Sequence, residues 1–415
     1  MWKAIFSSFY LRKPYDLLLA INKQTFLMTF SVLIAFVLFL PVDISAQEDA
    51  ESFQKENDSP LEQFLQKSNE AFREYREKIR QAFSKYRNKA ATVWGEDKAV
   101  VPSKEEWVSY CNKMCERRRV NFKQGFARYE LALDPGKKKF SQKVKSALID
   151  SIVESITQGP DQRSIANIAE DPNKIDPGGK PLLSGLFAFE SGKTVTENNA
   201  RKFARKKVRN HLTKWETRGK DGQKRVIASV TIPMIPDHLQ KRAKKYEDIV
   251  KQQAKRRALS PELVFSIIET ESYFNPLARS PAPAFGLMQI VPVTGGQEAY
   301  RMVYGENKQP SEDFLYQPKE NVTLGTAYFH RLYFTYMEGI KNEMSRLWCA
   351  LASYNIGPIN LYLTFSDKGK SAAIRRINSM DSEDVFNYLV HHLPSRQTQK
   401  YIREIRKNIP KYESL

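Results

Sequence analysis

The stretch SPELVFSIIETES, from Ser260 to Ser272, decides how the second half of the chain is interpreted. Ser260 is a favourable N-cap residue, and Pro261 suits the first position of a helix because its missing N–H group would be unpaired there anyway. The dipeptide Asn275-Pro276 disfavours helical backbone and marks where the helix has ended. The stretch therefore predicts a single helix of about three turns.

Glu271 is the residue of this helix that carries a functional hypothesis. Steps of three, four and seven place it on one face with apolar residues. These residues are Val264, Ile267 and Ile268. Burial and the negative C-terminal end of the helix both raise the pKa of a carboxyl group in such a position. A glutamic acid kept neutral near pH 7 suits general-acid cleavage of a glycosidic bond.

A simpler interpretation of Glu271 stays open at this point. Its carboxylate could sit at the edge of the apolar face and reach water, which would give it no catalytic role. The two other acids of the helix, Glu262 and Glu269, are seven residues apart and are expected on the opposite, solvated face.

Aromatic and amide side chains follow the helix and are typical of a sugar site. Tyr273 and Phe274 begin a loop that two prolines stiffen, and the run 286–289 (GLMQ) is predicted to open another helix. Farther on, the run 352–357 (ASYNIG) places a Tyr–Asn pair at a helix end. Aromatic faces stack on pyranose rings, and amides hydrogen-bond to hydroxyl and acetamido groups. Each feature alone is more often a matter of packing or capping.

Taken together, these motifs resemble the soluble lytic transglycosylase domain of the lysozyme superfamily in order and spacing, over about residues 245–405. The motifs are Glu271-Ser272-x-Phe274-Asn275-Pro276, Gly286-Leu287-Met288-Gln289, Asn321-x3-Gly325-x2-Tyr328, Ala352-x-Tyr354-Asn355-x-Gly357 and Tyr401. Upstream, Val93-Trp94-Gly95 and Val226–Tyr246 are similar to the membrane-bound lytic murein transglycosylase C family, in which an N-terminal α+β domain precedes the catalytic one. That second resemblance is weaker across residues 120–220.

The resemblance implies a role for each matching residue. Glu271 corresponds to the single catalytic acid/base, with Tyr354 orienting its carboxyl group and Tyr401 beside it. The other assisting or substrate-binding positions are Ser272, Ser280, Met288, Gln289 and Asn355. Of these, Ser280 and Gln289 correspond to positions that hydrogen-bond to the sugar or assist ring closure, Met288 to a groove-lining residue and Asn355 to a substrate-site amide. No cofactor or metal is implied, and the 5 histidines form no HExxH motif, which disfavours a zinc enzyme.

The reaction implied by the resemblance begins when Glu271 protonates the β-1,4 bond between N-acetylmuramic acid and N-acetylglucosamine. Its carboxylate then takes the proton of the muramic C6 hydroxyl, which closes a 1,6-anhydro ring and remodels the cell wall. Paired-carboxylate glycosidases need a second acid, and the motif set supplies none. Two alternatives remain: a goose-type hydrolytic lysozyme, in which water replaces the C6 hydroxyl, and a non-catalytic peptidoglycan-binding envelope protein.

The charge of the chain indicates a polyanionic partner. Its 415 residues include 66 Lys and Arg against 47 Asp and Glu, a formal net charge of +19. Nucleic acid, anionic lipid and an acidic cell-wall polymer all fit such a charge. Residues 201–260 alone hold 19 basic and 5 acidic residues, which form either a solvated face or a surface for an anionic polymer.

The N-terminus decides between these partners. A basic leader precedes the apolar run Thr25–Val42, and Ile44-Ser45-Ala46 suits a cleavage site, which is the order of an export signal. The run also suits an uncleaved anchor that tethers a periplasmic chain to the inner membrane. No cysteine follows it closely, so a lipoprotein is not indicated. Export disfavours nucleic acid and leaves peptidoglycan strands and an anionic membrane surface as partners, while the oligomeric state stays unknown.

The chain is predicted to have an α+β fold, with a mixed α+β N-terminal domain followed by an all-α lysozyme-like catalytic domain. Residues 1–46 are the signal or anchor, 47–95 a polar amphipathic helical segment, 96–240 the N-terminal domain and 241–415 the catalytic domain. The run Val226–Ile232 predicts a strand of a modest antiparallel sheet. Loops are expected at 275–288, 306–319 and 356–370. Cys111 and Cys115 either form a strained disulfide across one helical turn or stay reduced.

Overall fold

The computed structural model describes residues 60–134, 141–174, 176 and 178–415, with side chains described from residue 70 onward. The predicted signal or anchor lies outside the described residues. Within those ranges, no helix is both long enough and apolar enough to cross a membrane. The described chain forms a five-stranded sheet with its own helices and then a longer series of helices, which confirms the predicted α+β class.

Helix α1, Pro60–Trp94, precedes the sheet and is amphipathic, as predicted for this segment. Its buried side chains recur at helical spacing: Phe72, Ile79, Phe83, Tyr86, Ala90 and Trp94. At the end of α1, the indole N–H of Trp94 donates a 2.7 Å hydrogen bond to the carbonyl of Met114. The guanidinium of Arg117 lies 3.9 Å from the centre of the Trp94 ring. These contacts fix the end of α1 against the sheet.

The sheet is antiparallel throughout and has the strand order β1-β2-β3-β5-β4. Its strands are β1 (Glu106–Cys111), β2 (Glu116–Asn121), β3 (Phe126–Leu133), β4 (Leu212–Arg218) and β5 (Lys224–Pro233). Between β3 and β4 the chain forms α2 (Gln142–Thr157), α3 (Ile165–Glu170) and α4 (Glu197–His211), and α2 packs on α4 and on β3. The predicted strand Val226–Ile232 lies inside β5.

Cys111 and Cys115 flank the turn between β1 and β2 and do not lie on a helix. The three residues between them, Asn112, Lys113 and Met114, all have positive φ, from 50° to 66°. The backbone reverses direction here, and both thiols are free. Burial is the main reason that the pKa of the Cys111 thiol is raised to about 12, so the thiol is protonated at neutral pH.

The sheet is followed by α7 (Pro261–Ser272) and by the other helices of this region. They are α5 (His238–Lys244), α6 (Glu247–Arg256), α8 (Gln297–Tyr304), α9 (Glu312–Leu315), α10 (Pro318–Arg331), α11 (Glu343–Ile356), α12 (Pro358–Phe365), α13 (Lys370–Asn378), α14 (Ser382–His392) and α15 (Arg396–Asn408). Two π-helical turns, Pro292–Gly296 and Leu332–Tyr336, and a 3₁₀ turn, Ile409–Tyr412, complete this region. Every residue of α7 from Leu263 to Ser272 is buried, so this helix is the centre of the region.

Two of the predicted loops contain helices. The range 306–319 includes α9, and the range 356–370 includes α12. Pro358 occupies the first position of α12, where proline is well tolerated. Leu361 and Phe365 of α12 are buried, so packing against the neighbouring helices stabilises this short helix.

The run 286–289 forms a turn and does not open a helix. Phe285 and Ile290 form an isolated β-bridge around it, and the next helical turn begins at Pro292. Gly286 has φ +77° and Gln289 has φ +48°, both in the left-handed region. A regular α-helix requires negative φ, so this backbone excludes the predicted helix start.

Candidate active site

Helix α7 begins and ends as the sequence predicts. The Ser260 hydroxyl accepts a 3.2 Å hydrogen bond from the N–H of Leu263, and Pro261 occupies the first turn. Tyr273 ends the helix in the left-handed conformation, with φ 51° and ψ 38°. Glu271 therefore lies in the last turn, where the unpaired carbonyl groups of a helix concentrate.

Glu271 is buried, with 7% of its surface exposed. Desolvation by burial is the main cause that raises the pKa of its carboxyl group, from 4.5 to about 7. The positive charge of Lys104 and the hydroxyl of Tyr401 act in the opposite direction and limit the increase. The carboxyl group is thus poised to hold or release a proton near neutral pH, as general acid–base chemistry requires.

Tyr354 and Tyr401 reach Glu271 from α11 and α15. In both, burial comes first among the causes that raise the pKa of the hydroxyl well above 10, and Glu271 follows. The Tyr401 hydroxyl faces Glu271 but forms no hydrogen bond of ordinary geometry with any described residue. The Tyr354 hydroxyl donates to the carbonyl of Met288 over 2.8 Å. The proton of the Tyr354 hydroxyl is therefore bonded to the 286–289 turn. The role predicted for Tyr354 in orienting Glu271 stays a prediction.

The turn at 286–289 is held by Asn321, a residue of α10 that is fully buried. The side-chain amide of Asn321 donates to the carbonyls of Phe285 and Leu315 over 2.8 and 2.9 Å. Its Oδ1 accepts a 2.7 Å hydrogen bond from the N–H of Met288. A Cβ atom on Gly286 would lie 2.2 Å from the Asn321 amide nitrogen, so only glycine allows this approach.

Ser272 and Met288 support the turn from the interior. The Ser272 hydroxyl donates to the carbonyls of Ile268 and Leu287 over 3.0 and 2.7 Å, and the residue has no exposed surface. Met288 is also fully buried, and a Cβ atom on Gly325 would lie 2.4 Å from its sulfur. Both side chains are thus inside the protein and support the turn; Met288, which was predicted to line a groove, has no exposed surface in this structure.

Gln289, Ser280 and Asn355 are only partly buried. The Gln289 amide donates to the carbonyls of Ala278 and Gly286 over 3.2 and 3.0 Å, which leaves its side-chain oxygen without a partner among the described residues. The Ser280 hydroxyl accepts from the N–H of Ala282 over 3.1 Å. Asn355 Oδ1 accepts from the hydroxyl of Thr398 over 2.7 Å, which leaves its NH₂ group similarly without a described partner.

The structure thus brings Glu271, Tyr354 and Tyr401 together and places the 286–289 turn beside them. Asn321 and Gly325 belong to the motif quoted from the sequence, but their positioning roles were not inferred there. The available sequence signal for Asn321 was its residue type. A buried asparagine has to form hydrogen bonds with both its side-chain oxygen and its NH₂ group, so it holds the segments around it. Among the described residues, no group of three or more His, Cys, Asp or Glu side chains is arranged to hold a metal ion.

Glu269 is not solvated, and the sequence prediction for it is wrong. It is 4% exposed and accepts hydrogen bonds of 2.8 Å from the Lys411 ammonium and 2.7 Å from the Tyr412 hydroxyl. The 3₁₀ turn Ile409–Tyr412 covers this side of α7, a contact that helical spacing cannot reveal. Glu262, in the first turn of α7, is partly exposed.

The chain has recognisable relatives among known proteins. Residues 248–377 match the family model "Transglycosylase SLT domain". Residues 66–245 match the model "Membrane-bound lytic murein transglycosylase C, N-terminal domain". Among solved structures, the 70 kDa soluble lytic transglycosylase of Escherichia coli is 24% identical, with a TM-score of 0.32, and the match covers 42% of this chain and 25% of that chain.

Two curated relatives, both named membrane-bound lytic murein transglycosylase C, match most of the chain. The protein of Edwardsiella ictaluri is 32% identical over 327 residues, which are 78% of this chain and 86% of the relative. The protein of Yersinia enterocolitica is 33% identical over 316 residues, 75% of this chain and 84% of the relative. The chain is thus an enzyme of the lytic transglycosylase class. Within that class, it belongs to the membrane-bound lytic murein transglycosylase C family.

Proposed function

We propose that this lytic murein transglycosylase cleaves the β-1,4 bond between N-acetylmuramic acid and N-acetylglucosamine in peptidoglycan and leaves 1,6-anhydromuramic ends. The observation that carries the proposal is the buried Glu271, whose carboxyl pKa of about 7 lets one residue serve as acid and then as base. Among the described residues, the groups that shift this pKa are a lysine and a tyrosine, with no second carboxylate. A mechanism with one acid therefore suits the site better than one with paired carboxylates.

In the first step, the protonated Glu271 gives its proton to the oxygen of the scissile bond. The bond between that oxygen and the muramic C1 breaks, and an oxocarbenium-like centre forms at C1. In the second step, the Glu271 carboxylate takes the proton of the muramic C6 hydroxyl, whose oxygen bonds to C1. No water is consumed, and Glu271 ends the cycle protonated. A hydroxyl held on the same sugar replaces an external nucleophile because proximity raises its effective concentration.

The surrounding residues support these two steps. The Tyr401 hydroxyl, which has no other hydrogen-bond partner among the described residues, is placed to donate to the Glu271 carboxylate after the first proton transfer. The Gln289 side-chain oxygen and the Asn355 NH₂ group are free to bind sugar hydroxyl or acetamido groups. Ser280, in the loop between α7 and the 286–289 turn, offers a further hydroxyl.

The product of the reaction tests the proposal directly. Isolated sacculi are incubated with the purified chain, and the released fragments are analysed by mass spectrometry. Anhydromuropeptides are expected. Reducing ends, which are one water molecule heavier, would instead indicate the hydrolytic lysozyme. The absence of released fragments would indicate a binding protein.

We also propose that the chain works in the cell envelope, exported by its N-terminal segment, where it remodels the wall. Its curated relatives are named membrane-bound, and the basic leader with the apolar run Thr25–Val42 has the order of an export signal. A reporter enzyme that is active only outside the cytoplasm, fused after residue 60, is expected to be active. An active cytoplasmic reporter fused at the same residue would contradict export.

A cationic face on α4 gives the enzyme a means of holding an anionic polymer. Lys202, Arg205 and Arg209 are exposed, lie on one face by their spacing and form no ion pair with any described residue. Their neighbours Arg201 and Lys206 are instead paired with Asp150 and Glu190 over 2.9 and 2.8 Å. We propose that the unpaired triad of cations attracts peptidoglycan through its acidic groups.

A further inference from the structure

Lys104 belongs to the segment before β1, yet it contacts the end of α7. Its ammonium group donates a 3.2 Å hydrogen bond to the carbonyl of Thr270, a residue 166 positions away and directly before Glu271. Lys104 lies within the range matched by the N-terminal family model and outside the range matched by the transglycosylase model. The N-terminal region therefore supplies a positive charge beside the candidate acid.

The backbone around Lys104 is fixed by hydrogen bonds. The Ser103 hydroxyl accepts from the N–H groups of Glu105 and Glu106 over 3.2 and 3.1 Å. The Ser103 N–H donates to the Glu106 carbonyl over 2.8 Å, and the Glu105 carbonyl accepts from Phe122 over 2.9 Å. The segment thus extends the edge of the sheet as a rigid turn, and the side chain of Lys104 starts from a defined position.

A second lysine of the sheet region contacts α7 on the other side of Glu271. Lys123 forms a 2.8 Å ion pair with Glu105, and its ammonium lies 5.4 Å from the centre of the Tyr273 ring. Tyr273 is the residue that ends α7. Contacts from the sheet therefore fall on residues just before and just after Glu271, which fixes the last turn of α7 relative to the N-terminal region.

Some of the groups around Glu271 favour its carboxylate and others disfavour it. Burial and the unpaired carbonyls at the helix end both disfavour the carboxylate. The Tyr401 hydroxyl favours the carboxylate, and the Tyr354 hydroxyl, which also senses its charge, donates to Met288. Lys104 opposes both unfavourable effects, because its ammonium group hydrogen-bonds to a carbonyl at the helix end and adds a positive charge near the carboxylate. Among the described groups that shift the pKa of Glu271, Lys104 is the one that carries a positive charge.

We propose that Lys104 is a positioning residue for the reaction, through which the N-terminal region stabilises the Glu271 carboxylate that forms when the glycosidic bond is protonated. The inference rests on the proposed function, in which Glu271 loses a proton in the first step and regains one in the second. Negative charge develops on Glu271 in the first transition state. A fixed cation that requires no rearrangement lowers the energy of that state.

The test compares Lys104→Met, Lys104→Arg and Lys123→Met in the full chain, with release of anhydromuropeptides from sacculi measured between pH 5 and 9. Activity of the unaltered enzyme falls as pH rises through about 7, because Glu271 loses the proton it must donate. Without the charge of Lys104, the carboxylate is less stable, so this fall is expected to move upward by about one pH unit, with a lower maximal rate. Lys104→Arg keeps the charge and is expected to keep the fall at its original pH.

Lys123→Met is the matched control, because it removes a second lysine that reaches the end of α7 from the N-terminal region but does not shift the pKa of Glu271. The pH of the fall is expected to stay unchanged in this variant. If Lys104→Met lowered activity by the same factor at every pH, or if Lys123→Met moved the fall equally, the specific role of Lys104 would be refuted. Circular dichroism of each variant verifies that it is folded.

A measurement without turnover separates this inference from the proposed function. The ¹³C chemical shift of the Glu271 carboxyl carbon, followed by NMR across pH, reports its titration directly. A titration that moves upward in Lys104→Met supports the charge interaction even if the enzyme gave no anhydro product, in which case the proposed function would fail. An unmoved titration in an enzyme that does release anhydromuropeptides would overturn the inference about Lys104 alone.

Discussion

The hydroxyl of Tyr354 donates its proton to the main-chain carbonyl of Met288, across 2.8 Å and 66 positions of sequence. The bond joins α11 to the 286–289 turn directly beside Glu271. Because that proton is used, Tyr354 can meet Glu271 only through the lone pairs of its oxygen, which accept from a protonated carboxyl group. Tyr354 thus suits the acid form of Glu271, whereas Tyr401 suits the carboxylate.

Replacing Tyr354 by Phe removes this bond and leaves the Met288 carbonyl unsatisfied in a buried place. The free energy of unfolding is expected to fall by about 1–3 kcal/mol. Activity is expected to fall as well, but less than in Glu271→Gln, because the acid itself remains. Denaturant unfolding and anhydromuropeptide release measure the two effects. Equal losses in the two variants would assign Tyr354 a more direct part in the reaction.

Replacing Glu271 by Gln keeps the size of the side chain but removes the proton donor and the later base. Each of these roles contributes about 10²–10⁴-fold, so release of anhydromuropeptides is expected to be essentially abolished. Sedimentation with sacculi is expected to show unchanged binding. Glu262→Gln, in the first turn of the same helix and partly exposed, is the control and is expected to keep wild-type activity. Turnover by Glu271→Gln at a comparable rate would exclude Glu271 as the acid.

The same substitution makes stability less dependent on pH. The Glu271 carboxyl has a pKa of about 7 in the fold and 4.5 as its ordinary value, so the unfolded chain ionises first as pH rises. Stability from the neutral carboxyl is complete below pH 4.5 and is lost as pH rises through 7, by up to about 3 kcal/mol. Glu271→Gln has no such loss. Relative to wild type, its free energy of unfolding is therefore expected to rise between pH 4 and pH 8 by up to about 3 kcal/mol. Denaturant unfolding of both proteins at pH 4 and at pH 8 measures this change. A stability difference between variant and wild type that is the same at both pH values would show that Glu271 is not buried as described.

Replacing Glu269 by Gln affects stability more than chemistry. The change removes the negative charge opposite Lys411 but keeps an oxygen that can accept from Tyr412. An unfolding free energy lower by about 1–3 kcal/mol is expected, because the interaction involves a charged group. The pH dependence of activity is expected to stay that of the wild type. An altered pH dependence would indicate that Glu269 takes part in the reaction.

The cationic face of α4 is expected to act through long-range attraction. Replacing Lys202, Arg205 and Arg209 together by Gln is expected to weaken binding to sacculi at low salt and to change it little at high salt, since salt screens such charges beyond about 8 Å at physiological strength. Lys78→Gln with Arg80→Gln, both exposed on α1, is the comparison. Binding of the triple variant that matched wild type at low salt would leave these cations as an ordinary solvated face.

The sequence was most informative where local rules decide the structure. Ser260 and Pro261 predict the start of α7, and helical spacing predicts that Glu271 is buried. The same spacing failed for Glu269, because the segment that covers it comes from residues 142 and 143 positions away. The turn at 286–289 was missed since its left-handed Gln289 depends on hydrogen bonds made by Asn321, and Lys104 could not be placed because its contact is wholly tertiary.

The separation between Lys104, Glu271 and Lys411 along the chain has a consequence for the timing of folding. The contact between Lys104 and Thr270 spans 166 positions, and that between Lys411 and Glu269 spans 142. Contacts of such long range form late, because the entropy of closing large loops must be overcome first. In the proposed export, a chain that emerges N-terminus first presents α7 well before Tyr401 and Lys411 can reach it. The surroundings of the candidate acid Glu271 are therefore completed only when nearly all of the chain has arrived, and partly exported chains are expected to be inactive.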